Sequence, residues 1–380
     1  MKIKSVRATP FHQERDTAQS TGTAGSPARL LEGSSPYRWA ENYPVIYSRR
    51  FETAIVRVEL ASGEVGWGEA QAPVAPEVAC AVVNHILGPI LDGTEFGGSV
   101  QAIEELWWKM YSAMRVRGQT GGFMLDGIAG VDLALWDLAG KLAGLPVSEL
   151  IGRKREFVPA YLSGLPGGDA RNVREWVDAG FTRVKLFHDA SLERLLDNCD
   201  IVRGILPAVG AIAVDALWRL TLESALTLAP ELEARSAIWL EAPLAPESAR
   251  EHGELAELIR TPLAIGESYR TLFELTPFMD VDAMRIVQPD LGRTGITEGL
   301  RIARAAEEIG LDVIPHISIA LGPQIAAAIH FAASIPNCPL LEFNPNVLSI
   351  ANTKLSEPIS LKGAAYVVPD APGLGVTMSL

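Results

Sequence analysis

RVKLF (183–187), AIAVDA (211–216), AIWLEA (237–242), PLAIGE (262–267), MRIVQPD (284–290), DVIPHI (312–317) and LLEFN (340–344) decide how this chain folds. With VPAYLS (158–163) before them they make eight short apolar runs. By pattern each is a strand buried on both sides. Helix-length amphipathic segments separate the runs, and that rhythm matches a parallel β/α barrel.

Each run after the first ends on an ionisable residue: Lys185, Asp215, Glu241, Glu267, Asp290, His316 and Glu342. Successive gaps are 30, 26, 26, 23, 26 and 26 residues. One polar group per strand–helix unit, always at the C-terminal end, marks the mouth where barrel loops converge and active sites lie. Asp215, Glu241 and Glu267 sit on consecutive strands, about 4.8 Å apart. Three carboxylates aimed at one point repel strongly unless a cation joins them. An all-oxygen set suits a hard divalent ion, and Mg²⁺ is the expected cofactor. The competing reading makes them three separate N-caps for the helices that follow.

Asp290 and His316 end neighbouring strands. A carboxylate beside an imidazole fixes its tautomer and stabilises its charged form, which suits a general base. The other histidines, at 12, 85, 188, 252 and 330, lack that setting. Lys185 interrupts the second strand, and Lys occurs at only eight positions in the chain. It reads as a cation for a substrate carboxylate or a developing enolate. Glu342 ends the eighth strand. It reads either as a protonated acid or as a salt-bridge partner of Lys185.

Upstream, residues 2–10 alternate as a strand, and FETAIVRVEL (51–60) followed by EVGWGEA (64–70) reads as a hairpin. Helical patterns follow near 76–92, 100–116 and 123–143, the last closed by Gly144-Leu145-Pro146. The expected layout is an N-terminal α+β cap over 1–120, a (β/α)7β barrel over 121–360, and a tail, 361–380, returning to the cap. Residues 14–50 are too long for a plain connector. Their Trp39, Arg38, Arg49 and Arg50 are candidates to fold over the barrel mouth.

The whole chain has 380 residues and a net charge of −13, which argues against nucleic acid or an anionic membrane as partner. Three widely spaced cysteines, Cys80, Cys199 and Cys338, argue against disulfides and fit a reducing cytoplasm. The start, MKIKSVRATPF, lacks the apolar core of a signal peptide. No uncharged apolar run reaches the roughly 18 residues of a membrane span. A homo-oligomer acting on a small carboxylate is the expected state.

GWGEA, GVDLALWDLAGKLAGLPVSELIG, WLEAP, LAIGES, QPDLGRTG, VIPHISIALGPQ and PGLGV together resemble the enolase superfamily, specifically its mandelate racemase subgroup. The resemblance covers nearly the whole chain. It implies a capping domain over a modified TIM barrel. It also implies Mg²⁺ on Asp215, Glu241 and Glu267, an Asp290–His316 base, and hydroxy-acid substrates, often sugar acids. Two departures matter. The family commonly has Lys-x-Lys at the end of the second strand, and here Phe187 stands at the second Lys. Residues i and i+2 share a strand face, so Phe187 enters the site where a second base belongs. His188 follows it, and an Arg183-x-Lys185 register is the alternative. The other departure is Leu217, where the family often has Asn. Phe187, His188, Tyr161, Arg49 and Trp39 are the candidate substrate-binding residues. With one evident base, dehydration of a sugar acid is the expected reaction. A racemase, epimerase or cycloisomerase is the competing one, and a barrel that binds metal without turnover is a third.

Overall fold

The computed structural model describes residues 1–14, 28–30, 36–40, 45–165 and 168–379. Much of the 14–50 segment therefore lies outside the described residues. The chain opens with β1 (Ile3–Glu14). A small antiparallel sheet follows, made of β2 (Ala28–Leu30), β3 (Tyr37–Ala40) and β4 (Ile46–Ser48). Strand β5 (Arg50–Leu60) then pairs antiparallel with both β1 and β6 (Val65–Ala70). Helices α1 (Pro76–Val82), α2 (Gly88–Leu91), α3 (Val100–Arg115), α4 (Gly122–Ala143) and α5 (Val147–Ile151) complete this part.

The barrel strands alternate with helices as the apolar rhythm predicts. In chain order they run β7 (Phe157–Ser163), α6 (Val173–Asp178), β8 (Arg183–Phe187), α7 (Leu192–Ile205), β9 (Ala211–Asp215) and α8 (Leu222–Ala234). Next come β10 (Leu240–Glu241), α9 (Ala249–Leu258), β11 (Leu263–Ile265), α10 (Leu272–Met279), β12 (Ile286–Val287) and α11 (Leu291–Glu308). Last are β13 (Asp312–Val313), α12 (Pro323–Ser334), β14 (Leu341–Phe343), α13 (Pro345–Asn352) and β15 (Ala365–Val367). Parallel pairing runs in the order β13-β12-β11-β10-β9-β8-β7-β14. This is the expected (β/α)7β barrel under an antiparallel cap.

The barrel interior changes character along the strands. One layer holds Tyr161, Ala213, Trp239, Ala264, Ile286, Ile314 and Leu340. Two residues further along, the same inward face carries Ser163, Asp215, Glu241, Gln288, His316 and Glu342. The pleat returns each strand to that face every second residue, so an apolar floor lies directly under a polar ring. Glu267 breaks the step by one residue. It follows Gly266 (φ 156°), where a Cβ would lie 2.4 Å from the Gln288 amide nitrogen. Only glycine permits that backbone approach.

Helix α4 is buried from Met124 to Gly140 because it lies between the cap hairpin and α11. A Cβ on Gly68 would sit 2.0 Å from the Gly130 carbonyl oxygen, and one on Gly66 would sit 2.1 Å from that of Ala134. Three buried aspartates of α4 tie down four other segments. Asp126 pairs with Arg270 at 3.0 Å, and Asp132 accepts from the Thr297 hydroxyl at 2.5 Å and its amide at 3.0 Å. Asp137 accepts from the amides of Trp67 and Leu374, each at 2.8 Å. The tail pairs antiparallel with β7 through β15, and then reaches α4 at Leu374. Gly68→Ala is expected to cost about 3 kcal/mol, because backbone atoms cannot move aside as a side-chain tip can. Urea unfolding measures this, and a loss below about 1 kcal/mol would mean that α4 can lift off the hairpin.

Among the described residues no helix is long and apolar enough to cross a membrane. Cys80, Cys199 and Cys338 are free and buried.

Candidate active site

Asp215, Glu241 and Glu267 converge at the barrel mouth, each offering a carboxylate oxygen within 4.8 Å of the others. They are not N-caps. Helix α8 is capped by Thr221, α9 begins after Ser248, and α10 is capped by Thr271. The carboxylates therefore precede their helices by several residues and remain available to a ligand.

Glu241 and Glu267 are held by side chains that sequence reasoning did not single out, and Asp215 by a backbone amide. Glu241 accepts from the Trp239 indole at 3.0 Å and the Gln288 amide at 2.7 Å. Trp239 and Glu241 are i and i+2 on one strand face, a signal present in the sequence. Glu267 accepts from the Trp218 indole at 2.6 Å. Asp215 accepts from the Leu217 amide at 2.8 Å. Leu217 and Trp218 hold φ of 57° and 58°, and Ala242, after Glu241, holds 45°. Left-handed conformations at non-glycine residues cost about 1 kcal/mol or more each, and such strain gathers where function fixes the backbone.

Lys185 is fully buried, 2.5 Å from Glu241, 2.9 Å from Glu342 and 3.5 Å from Asp215. Burial pulls its pKa down, but Glu241 and Glu342 outweigh burial and raise it well above the ordinary value. Three carboxylates hold its amino group in place. Glu342 takes Lys185, the Ser163 hydroxyl at 2.5 Å and the Ile317 amide at 2.9 Å. Burial favours its neutral form, yet Lys185 and His316 hold its pKa below the usual range. The contact with Lys185 is the geometry of a salt-bridge partner, one of the two readings of its sequence position. Asp215 goes the other way: burial and then Glu241 raise its pKa well above the usual range. The cluster holds more negative charge than Lys185 offsets.

His316 Nδ1 lies 2.8 Å from Asp290, and Nε2 lies 3.0 Å from Glu267. Burial lowers the imidazole's pKa, but Glu267, Glu342 and Asp290 together raise it well above its ordinary value. Asp290 keeps Nδ1 occupied, which leaves Nε2 to handle a proton.

The remaining candidates divide. The Phe187 ring centre lies 5.4 Å from Lys185 Nζ, so the two share one face of β8. Tyr161 belongs to the apolar floor, 5.9 Å from the same nitrogen and packed edge-on against Trp239. His188 lines a depression with Leu192 of α7 and Leu220, Thr221 and Ser224 around the start of α8. The pleat turns it away from the face of Phe187. Arg183 is exposed at the entry of β8, so the alternative register supplies no second base. Trp39 and Arg49 lie on the small sheet around β3 and β4. Its Tyr37 hydroxyl accepts from the Ala75 amide at 2.9 Å. No described contact joins Trp39 or Arg49 to the carboxylates.

Residues 44–152 match the N-terminal domain of mandelate racemase and muconate lactonizing enzyme, and residues 168–380 match the enolase C-terminal domain-like family. The chain belongs to the mandelate racemase family of the enolase superfamily. This mandelate racemase family chain is 32% identical to an arabinonate dehydratase of Saccharolobus solfataricus, over 86% of this chain and 88% of that one. It is 30% identical to a D-galactarolactone cycloisomerase of Agrobacterium fabrum, over 87% and 91%. A crystal structure of an enolase superfamily member from Agrobacterium tumefaciens superposes with a TM-score of 0.92 at 29% identity, covering 100% and 97% of the two chains.

The donor set of this family member fits a divalent cation. All three ligands are carboxylate oxygens, the choice of a hard ion. Their 4.8 Å span is somewhat wider than the roughly 4 Å across an octahedral magnesium shell, so an ion would draw them slightly inward.

Proposed function

We propose that the protein dehydrates a sugar acid, an aldonate or aldarate, to a 2-keto-3-deoxy acid. Asp215, Glu241 and Glu267 would hold Mg²⁺, which would supply positive charge to offset the negative charge that forms on the substrate carboxylate as the proton leaves. His316 Nε2 removes the proton alpha to that carboxylate, and the C–H electron pair passes into the enediolate. Asp290 keeps the imidazole oriented and stabilises its charged form. Lys185, anchored by Glu241 and Glu342, supplies a fixed positive charge beside the same point. Collapse of the enediolate breaks the β C–O bond, the departing hydroxyl takes the proton held on the His316 imidazolium and leaves as water, and the enol tautomerises to the 2-keto acid.

Phe187 carries this reading. Inversion needs a proton donor on the face opposite His316, and an aromatic ring on that side supplies none. Lys185 is engaged with three carboxylates. Elimination needs only one base. The 32% identity to an arabinonate dehydratase supports the same reaction type. A second reading is cycloisomerisation, supported by the cycloisomerase relative. Opening a lactone by α-proton removal is the same elimination with an internal leaving group.

Incubation of a panel of aldonates, aldarates and their lactones in D₂O, with and without Mg²⁺, tests this. Metal-dependent 2-keto product, or exchange with retention, is expected. Polarimetry that detected an inverted α-carbon would move the assignment to racemase or epimerase.

A further inference from the structure

Helix α12 begins at Pro323 with Gly322 at its N-cap, so it has no side chain of its own to accept its first amides. No larger residue can serve there. Gly322 has φ 155°, and a Cβ would strike the Leu355 side chain at 2.6 Å. The missing acceptor comes from the cap. Glu69, fully buried near the end of β6, accepts from the amides of Leu321 at 2.6 Å, Gly322 at 3.2 Å and Gln324 at 3.2 Å. The Thr53 hydroxyl adds a fourth donor at 2.9 Å. A carboxylate at a helix N-terminus also complements the helix dipole.

The residue fixed by this external cap touches the dyad. The Gln324 side-chain Nε2 donates to Asp290 Oδ1 at 2.7 Å, beside the Gly292 backbone amide at 2.9 Å. Both donors fall on one oxygen, which leaves Oδ2 to His316. Two residues on from Glu69, the Gln71 amide donates to the Gly292 carbonyl at 2.9 Å. The end of one cap strand thus grips the loops after β12 and β13 together.

We infer that the cap hairpin is a working part of the proton-transfer site: Glu69 caps α12 from outside, and Gln324 is a positioning residue for Asp290. This rests on the reading of His316 and Asp290 as the base. Gln324→Met keeps the volume and removes the donor. In Mg²⁺-saturated protein labelled with ¹⁵N-histidine, the His316 Nδ1–H resonance, identified by its loss in His316→Asn, should shift and exchange faster with solvent. Magnesium affinity should not change. Glu69→Ala should give the same signature and faster amide exchange at Leu321, Gly322 and Gln324. Should that variant fail to fold, Gln324→Met carries the test alone. A folded Gln324→Met protein with an unmoved His316 resonance would overturn the inference, whatever its activity. Wild-type turnover in His316→Asn would instead remove the base itself, so the two ideas fail separately.

Discussion

His316→Asn should lower α-proton exchange with deuterated solvent by about 10³-fold on any acid that the panel shows to be turned over. Asparagine is neutral and has no nitrogen that takes a proton from carbon. The rest of the site should survive the change. Asp290 keeps its bonds from Gln324 and Gly292, and Glu267 keeps the Trp218 indole. Magnesium affinity measured by titration calorimetry should therefore stay close to the wild-type value. Asp290→Asn should cost less than His316→Asn, because it removes the orienting charge and leaves the imidazole in place. Wild-type exchange in the His316 variant would place the base elsewhere.

Glu241→Gln should weaken magnesium binding by at least about 100-fold. Glu241 is the middle carboxylate, fully buried, and its two oxygens take three donors. The NH2 of a glutamine cannot accept, so either Lys185 or the Trp239 and Gln288 pair loses its acceptor whichever way the amide turns. The cluster loses one negative charge at the same time. Calorimetry on chelator-stripped protein reads the affinity, and near-ultraviolet circular dichroism checks that the fold persists. Full affinity in a folded Glu241→Gln protein would dismiss the carboxylate triad as the metal site.

The barrel and its polar ring were legible because the barrel repeats. Each strand delivers a polar residue at the mouth, so Asp215, Glu241, Glu267, Asp290, His316 and Glu342 recur 23 to 26 residues apart. The supports were less legible. Trp239 and Gln288 lie two residues before Glu241 and Asp290, and strand alternation alone could have placed them. Trp218 could not be found that way. It belongs to a left-handed turn, where side-chain direction follows no period. Glu69 and Gln324 lie far apart in sequence and meet only through the packing of the cap hairpin against the barrel. Glu342 supports two readings because its charge depends on neighbours from other strands. Asp132 and Asp137 of α4 read as part of a family motif, and the structure gives them, with Asp126, to helix and loop anchoring.

The cap is joined to the barrel by buried polar links at Glu69, Gln71, Asp126 and Asp132. Each such hydrogen bond contributes about 1 kcal/mol, and an unpaired buried carboxylate costs more. Swinging the cap away as a rigid body would break all of them at once. Cap and barrel are therefore held in one fixed relation, so the cap side of the site is as firmly placed as the barrel side.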